Sequence, residues 1–181
     1  KPEFKNGFAV ANPALSGTAY MSIALLTKQF GPDFFKELKA NGARVGKGSG
    51  QVIDDTASGE LTACLGVDYI TNAKIAKGAH LQMCYPPELI MVPSPVAIFK
   101  DSKQMDAAQK FVDYLLGAEA QQMVANQGTI PVREDVKIDP KFGLVSPKVV
   151  IEKGIKVNYL DIIDSKEKIV KDFTELMQVK K

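Results

Sequence analysis

The sequence predicts an α/β fold in which a mainly parallel sheet is flanked by helices. Short apolar runs, which are typical of buried strands, alternate with helical patterns between residues 8 and 85. That alternation is characteristic of parallel strands joined by helical connections. The chain has 181 residues, of which 45% are hydrophobic, so it is long enough to bury a substantial core.

The strands are predicted from apolar runs bounded by turn residues. The first, Phe8-Ala9-Val10-Ala11, is fully apolar and ends at Asn12-Pro13, a pair that favours a turn. Leu61 to Gly66 is a second continuous apolar run, and Pro86-Pro87 ends a third run at residues 80–85. Shorter strands are predicted at residues 43–45 and 96–99.

The helices are predicted from start and stop signals. Ser16 suits an N-cap, and Gly31-Pro32 ends the helix that Ser16 begins. Pro32 also suits the first position of the next helix, which Gly42 follows. In total, helices are predicted after Ser16 and at residues 33–40, 51–57, 71–77, 105–116, 118–126, 159–163 and 166–178, with an irregular stretch from 130 to 147.

Charge and motif content exclude several classes of function. The formal net charge is only +2, which provides no field favouring nucleic acid or a membrane surface. Catalytic motifs are absent, and the single histidine, His80, has no obvious partner, so neither an enzyme nor a cofactor or metal site is predicted. Cys64 and Cys84 lie in apolar runs, which leaves free buried thiols and a disulfide both open.

Two turns that precede helices are candidate anion sites. Ser16, Gly17 and Thr18 stand where a strand end, a tight turn and a helix start coincide. Free backbone N–H groups at a helix start bind anions, hydroxyls add donors, and glycine lets a ligand approach the backbone closely. Ser49 and Gly50 belong to a second, glycine-rich turn before a helix. Plain helix capping is the alternative interpretation of the first turn.

Acidic and aromatic residues follow two of the predicted strands. In open α/β sheets, ligands bind outside the carboxyl ends of the strands. There, Asp68 would accept hydrogen bonds from a hydroxyl or an ammonium group, and Tyr69 would stack or hydrogen-bond. Glu88, after the strand at 80–85, would point at the same cleft. The alternatives are that Asp68 caps the next helix and that Glu88 is an exposed turn residue.

Four segments of the chain occur in the same order in a known family. They read NPALSGTAY at residues 12–20, GE at 59–60, AAQKFVDYLL followed by EAQ between 107 and 121, and GTIPVR at 128–133. Together they resemble bacterial extracellular solute-binding proteins of ABC importers, in the cluster related to ferric-iron, hexose-phosphate and phosphonate binding proteins. The resemblance covers nearly the whole chain.

The resemblance implies a type II periplasmic-binding fold with two lobes around a cleft. It assigns residues 1–93 to the second, C-terminal lobe, 94–145 to the first lobe, and 146–181 to C-terminal helices that return to the second lobe. Most of the first lobe would then be missing from this chain. Because the chain starts at Lys1 rather than Met, we also expect a segment upstream of it.

The function implied by the resemblance is capture of a small anionic solute, a phosphorylated sugar or a phosphonate, for import through a membrane permease. Ser16, Gly17, Thr18, Ser49 and Gly50 match the family's anion clamps. Asp68 would contact a hydroxyl or amine of the solute, with Glu88 assisting. The protein would be periplasmic, or lipid-anchored outside the cell.

Two alternatives remain open at this point. Ferric-binding members are similar in using two adjacent tyrosines at the strand end, whereas this chain has Asp68-Tyr69, so an iron site here would be incomplete. The second alternative is a sensor module that reports the ligand to a membrane kinase.

Overall fold

The computed structural model describes residues 1–178 and divides into two compact units. The first, the sheet unit, comprises Lys1–Gln82 and the chain from Ile155 onward. The second, the helical unit, is Met83–Gly154. In chain order the helices are α1 (Gly17–Phe30), α2 (Asp33–Ala40), α3 (Ser49–Ala57), α4 (Asp68–Ile75), α5 (Met105–Leu116), α6 (Ala118–Asn126), α7 (Pro147–Lys153), α8 (Tyr159–Asp164) and α9 (Lys166–Met177).

A small parallel sheet organises the sheet unit. Its central strand, β1 (Phe8–Ala11), pairs with β2 (Arg44–Gly46) on one side and with β3 (Ala63–Cys64) on the other. Both pairings are parallel, and each strand is followed along the chain by a helix. The predicted α/β class, with a parallel sheet flanked by helices, is therefore confirmed.

Helices cover both faces of the sheet because β1 is apolar on both. Val10 packs into a cluster with Ile23 of α1, Phe35 of α2 and Phe173 of α9. Ala9 points to the opposite face, where it packs with Val52 of α3 and with Leu61. Small alanines on that face allow α3 to approach the sheet closely. Strands buried on both faces read as continuous apolar runs, which explains the sequence of β1.

The helical unit contains α5 and α6, which only Gly117 separates, and α7. Long irregular segments precede α5 and join α6 to α7. A short 3-10 turn, Pro140–Phe142, interrupts one of these segments. An isolated bridge joins Leu89 to Gly154, and the Leu89 N–H donates to the Lys153 carbonyl at 2.9 Å. Among the described residues, no helix is long and apolar enough to cross a bilayer.

Two predicted strands are wrong. Residues 80–85 and 96–99 form no strand, and Phe99 is 90% exposed. A strand requires a partner for its backbone groups, and the sequence of one segment cannot show whether a partner exists. The strand predicted at 61–66 shrinks to Ala63–Cys64 for the same reason, since only that stretch pairs with β1.

The helix predictions succeed more often. The bounds predicted for α1, α2, α5 and α6 match the structure, and α3, α4, α8 and α9 differ from prediction only at their ends. The sequence analysis predicts no helix at α7, which begins at Pro147, the last residue of the predicted irregular stretch. Its start carries a recognisable signal, since Ser146 caps it and Pro147 takes its first position. Residues 179–181, the end of the predicted C-terminal segment, lie outside the described residues.

Candidate functional site

Each of the three parallel strands of the sheet unit leads to the start of a helix at the same edge of the sheet. β1 leads into α1, β2 into α3 and β3 into α4, each through a connection of a few residues. Because parallel strands share a direction, their carboxyl ends meet at the same edge of the sheet. The N-termini of α1, α3 and α4 therefore face the region in which α/β proteins bind ligands.

A compact turn at Asn12 connects β1 to α1 at this edge of the sheet. The Asn12 N–H donates to the Gly46 carbonyl at 2.8 Å, which ties the end of β1 to the end of β2. Its side-chain Oδ1 accepts from the Ala14 N–H at 2.9 Å, and its carbonyl accepts from the Ser16 N–H at 3.0 Å. Asparagine favours such turns because its side chain hydrogen-bonds the backbone two residues on.

Two serine hydroxyls join the starts of α1 and α3. Ser16 caps α1, with its Oγ accepting from the Ala19 N–H at 3.2 Å. The same Oγ lies 3.5 Å from the Oγ of Ser49, the first residue of α3, which is buried. Ser16 is therefore a cap and also lies within the predicted anion site, so the two interpretations of this turn are compatible.

Several backbone donors at these two helix starts are unused. The N–H groups of Gly17 and Thr18 have no hydrogen-bond acceptor within residues 1–178. The same holds, over the same residues, for the N–H groups of Ser49 and Gly50. Helix starts carry a partial positive charge, and unused N–H groups there are natural anion donors.

A small cavity lies at this edge, between α1, α3 and the connection from β3 to α4. Its volume is about 10 Å³, which is about the room needed for one water molecule. No charged side chain lines it, so its electrostatic character comes from helix termini and hydroxyls. The lining residues are Val10, Ala11, Thr18, Ala19, Ser22, Ile23, Ser49, Leu65, Gly66 and Val67.

The glycines of the two turns leave open space in front of the backbone. A Cβ added at Gly17, Gly48 or Gly50 would meet no atom within 4 Å, and none of the three has a positive φ. Packing and backbone strain therefore do not require glycine at these positions. Gly46 is different, because a Cβ there would lie 2.6 Å from Cγ1 of Val52.

The remaining predicted residues divide between the two units. Asp68 is the first residue of α4, and its carboxylate accepts from the Tyr69 N–H at 2.8 Å. The N-cap of this helix is Val67, and no side-chain hydrogen bond caps it, so the capping interpretation of Asp68 is wrong. Val67, just before it, lines the cavity. Tyr69 is 48% exposed and does not line the cavity. Glu88 is an exposed residue of the helical unit.

Two residues of α1 that support the site were not singled out from the sequence. Ser22 lines the cavity, is buried, and donates from its hydroxyl to the Thr18 carbonyl at 3.0 Å. Tyr20 is buried, and its hydroxyl donates to the carbonyl of Ile162 in α8. The spacing of Thr18 and Ser22, one helical turn apart, was the available signal.

A comparison with protein families matches residues 1–129 to a model described as bacterial extracellular solute-binding protein. The chain belongs to this family. The match includes every predicted ligand-binding residue, together with α5 and α6 of the helical unit. Solute-binding proteins in general hold their ligand without transforming it.

A relative from Haemophilus influenzae extends the comparison. It is 31% identical over 134 residues, which cover 70% of this chain, and it is described as an uncharacterized protein. The chain spans 38% of the length of this curated relative. The matched part of this chain thus corresponds in the relative to one part of a larger protein.

Proposed function

We propose that this chain is part of the substrate-binding component of an ABC importer, and that it captures a small anionic solute bearing a phosphate or phosphonate group. The observation that carries the proposal is the meeting of the α1 and α3 starts, whose serine hydroxyls lie 3.5 Å apart. The anionic group would accept hydrogen bonds from both helix starts at the mouth of the cavity.

The electrostatics of this edge favour an anion without a basic side chain. The N–H groups of Gly17, Thr18, Ser49 and Gly50 supply four donors, and the two helix dipoles supply the positive field. The hydroxyl of Thr18 adds a further donor beside the cavity. Because the cavity holds only about one water molecule, the oxyanion would sit at its mouth and the rest of the solute outside it.

The rest of the solute would extend towards α4. Asp68, at the start of that helix, would accept from a hydroxyl or amine of the solute, and Tyr69 would offer its exposed ring. A phosphorylated sugar and an aminoalkyl phosphonate both combine an oxyanion with such donors.

In the proposed full-length protein, a second lobe closes over the solute. The lobe boundaries expected from the sequence, at residues 93/94 and 145/146, are part of this proposal. Closure would exclude water, which strengthens hydrogen bonds to the anion, and the closed shape would be recognised by a membrane permease. We propose that this protein acts outside the cytoplasmic membrane, which the family description, bacterial extracellular solute-binding protein, supports.

The exposed face of α5 supports a missing lobe. α5 has no buried residue, and Phe111 and Tyr114, which lie three residues apart on one side of the helix, are 59% and 45% exposed. Large apolar patches on soluble proteins mark interaction sites. We propose that this face packs on the part of the protein that the Haemophilus relative has and this chain lacks.

The first test is a thermal-shift panel on the full-length protein that contains this chain. The ligands are hexose phosphates, aminoalkyl phosphonates, inorganic phosphate and ferric citrate. A ligand at about a hundred times its Kd adds about 2.7 kcal/mol to the free energy of unfolding, which gives a clear shift in Tm. A shift with a phosphorylated ligand is expected, whereas a shift with iron alone would contradict the proposal.

Variants that remove side-chain hydroxyl groups test where the anion binds. Ser16→Ala combined with Thr18→Ala removes two hydroxyls that would contact the anion, and hydrogen bonds to charged groups contribute about 1.5–3 kcal/mol each. Two such bonds contribute about 3 kcal/mol or more, so we expect at least about hundredfold weaker binding by calorimetry. Ser146→Ala is the control, because Ser146 caps α7 in the same way but lies in the helical unit. Equal affinity in the double variant and the control would overturn the proposed clamp.

Gly17→Ala should affect ligand binding and the stability of the fold in opposite directions. A Cβ at Gly17 meets open space, so alanine should stabilise the start of α1 by up to about 1 kcal/mol. The same methyl group would occupy the position of the bound anion and weaken ligand binding. A variant that is more stable but binds less tightly supports the proposal, and unchanged affinity would show that no ligand approaches this turn.

A further inference from the structure

The sheet unit contains a second, larger cavity that lies away from the carboxyl edge of the sheet. It has a volume of about 170 Å³ and lies between α1, α8 and the start of α9. An engineered protein cavity of about 150 Å³ is large enough to bind benzene. The lining residues are Ala24, Leu25, Thr27, Lys28, Lys156, Val157, Asn158, Asp161, Ile162, Ser165 and Ile169.

The interior of this cavity is apolar in character. Ala24, Leu25 and Ile162 form buried parts of its wall. Its two hydroxyls are engaged with backbone carbonyls: Thr27 Oγ1 donates to Ile23 at 2.7 Å and Ser165 Oγ donates to Asp161 at 2.5 Å. A molecule inside therefore meets hydrocarbon and receives few hydrogen bonds.

The rim of the cavity carries the polar groups. Lys28 and Asp161 form a long ion pair, with 3.9 Å between Nζ and Oδ2. Lys156 has no ion-pair partner in the part of the chain that the structure describes. Asn158 uses its Oδ1 to cap α8, accepting from the Leu160 N–H at 3.2 Å, so its NH₂ group remains available. The two lysines and one aspartate give the rim a net positive charge.

We propose that this cavity is a second binding site, for a small amphipathic anion with a carboxylate on an apolar body about as large as a benzene ring. The apolar body lies against Leu25 and Ile162, and the carboxylate lies at the rim beside Lys156 and the Asn158 amide. The site shares no lining residue with the cavity at the carboxyl edge of the sheet. It stands independently of the proposed solute site.

The test uses benzoate with two comparators of similar size, benzyl alcohol and benzylammonium. Methyl NMR spectra of the 181-residue chain, recorded during titration, report on Leu25, Ile162 and Ile169. We expect benzoate to shift these signals at lower concentration than benzyl alcohol, and benzylammonium to shift them least. No shift with any of the three, or a preference for benzylammonium, overturns the proposal.

Substitutions then locate the binding. Val157→Phe fills the cavity and should abolish the benzoate shifts, whereas Ile163→Phe, at a 66% exposed position of α8, should leave them unchanged. Lys156→Ala should weaken benzoate binding about two- to fivefold, as expected for an exposed charge, without affecting benzyl alcohol. The matched control is Lys171→Ala on α9, outside the cavity.

Ser16→Ala with Thr18→Ala should leave benzoate binding intact. If that double variant abolishes binding while Val157→Phe does not, benzoate occupies the solute site and this proposal is wrong.

Discussion

The two units of this chain bury very different residues. In the sheet unit the core contains large side chains, such as Ile23, Phe35 and Phe173, at 1–4% exposure. In the helical unit the buried side chains of the long helices are small or polar, as with Ala120 and Ala125, while Phe111 faces outward. The sheet unit therefore has a core of large side chains, whereas Leu89 and Val136 are the only large apolar side chains that are buried among residues 83–154 of the helical unit.

This difference indicates where the stability of the chain lies. Burial of a large apolar side chain contributes about 1.5–3 kcal/mol, and close packing adds to that. The helical unit gains little of this energy from its own residues. Its apolar face is instead available for another surface, which agrees with the proposed packing against a part that the chain lacks.

The largest expected effect comes from a matched pair of phenylalanines. Phe35→Ala should lower the free energy of unfolding by about 3–5 kcal/mol, because it leaves a cavity in the core where Phe35 meets Phe173 edge to face. Phe111→Ala should change it by less than about 0.5 kcal/mol. Urea unfolding followed by circular dichroism measures both.

The same pair tests the proposed lobe contact. In the full-length protein, Phe111→Ala should become distinctly destabilising, because the α5 face would then be covered. If Phe111→Ala is neutral there as well, α5 faces solvent in the whole protein and the proposed contact is wrong.

A pair of tyrosines, one in each unit, tests whether a hydroxyl group contributes more to stability in the sheet unit than in the helical unit. Tyr20→Phe removes a buried hydrogen bond to the Ile162 carbonyl, which the Ser165 hydroxyl approaches only at 3.4 Å, so it should cost about 1–2 kcal/mol. Tyr114→Phe should be nearly neutral, since that hydroxyl is exposed and its nearest partner is the Met123 sulfur at 4.0 Å. Thermal unfolding of both variants provides the measurement, and equal shifts in Tm would contradict the comparison.

The same contrast explains which parts of the fold could be predicted. α5 and α6 were predicted with their observed bounds, because a helix satisfies its own hydrogen bonds and its signals are local. The strands at 80–85 and 96–99 were wrong, because a strand depends on partners elsewhere in the chain. β1 was predicted correctly because its four apolar residues are needed on both faces of a sheet.

The candidate site was predictable in part for a related reason. Ser16, Thr18 and Ser49 were identified from turn and cap signals, which are local, and the structure brings them to one edge. The contributions of Ser22 and Val67 depend on how α1 and α4 pack around the cavity, which no local pattern contains. The roles of Asp68, Tyr69 and Glu88 towards a ligand stay predictions.

The smallest expected effect distinguishes the two cysteines, which are both free thiols. Burial raises the pKa of the Cys64 thiol, with a hydrogen bond to Thr56 acting in the opposite direction, whereas Cys84 is exposed. The thiolate is the reactive form, so a raised pKa lowers the fraction that can react at a given pH. Iodoacetamide at pH 8 should therefore alkylate Cys84 several-fold faster than Cys64, as measured by mass spectrometry on Cys64→Ser and Cys84→Ser variants.

The rate of Cys64 alkylation should keep rising at higher pH, and the rates of both cysteines should converge in urea, where burial is lost. Equal rates in the folded chain would show that β3, which holds Cys64, is no better protected than the irregular segment that holds Cys84.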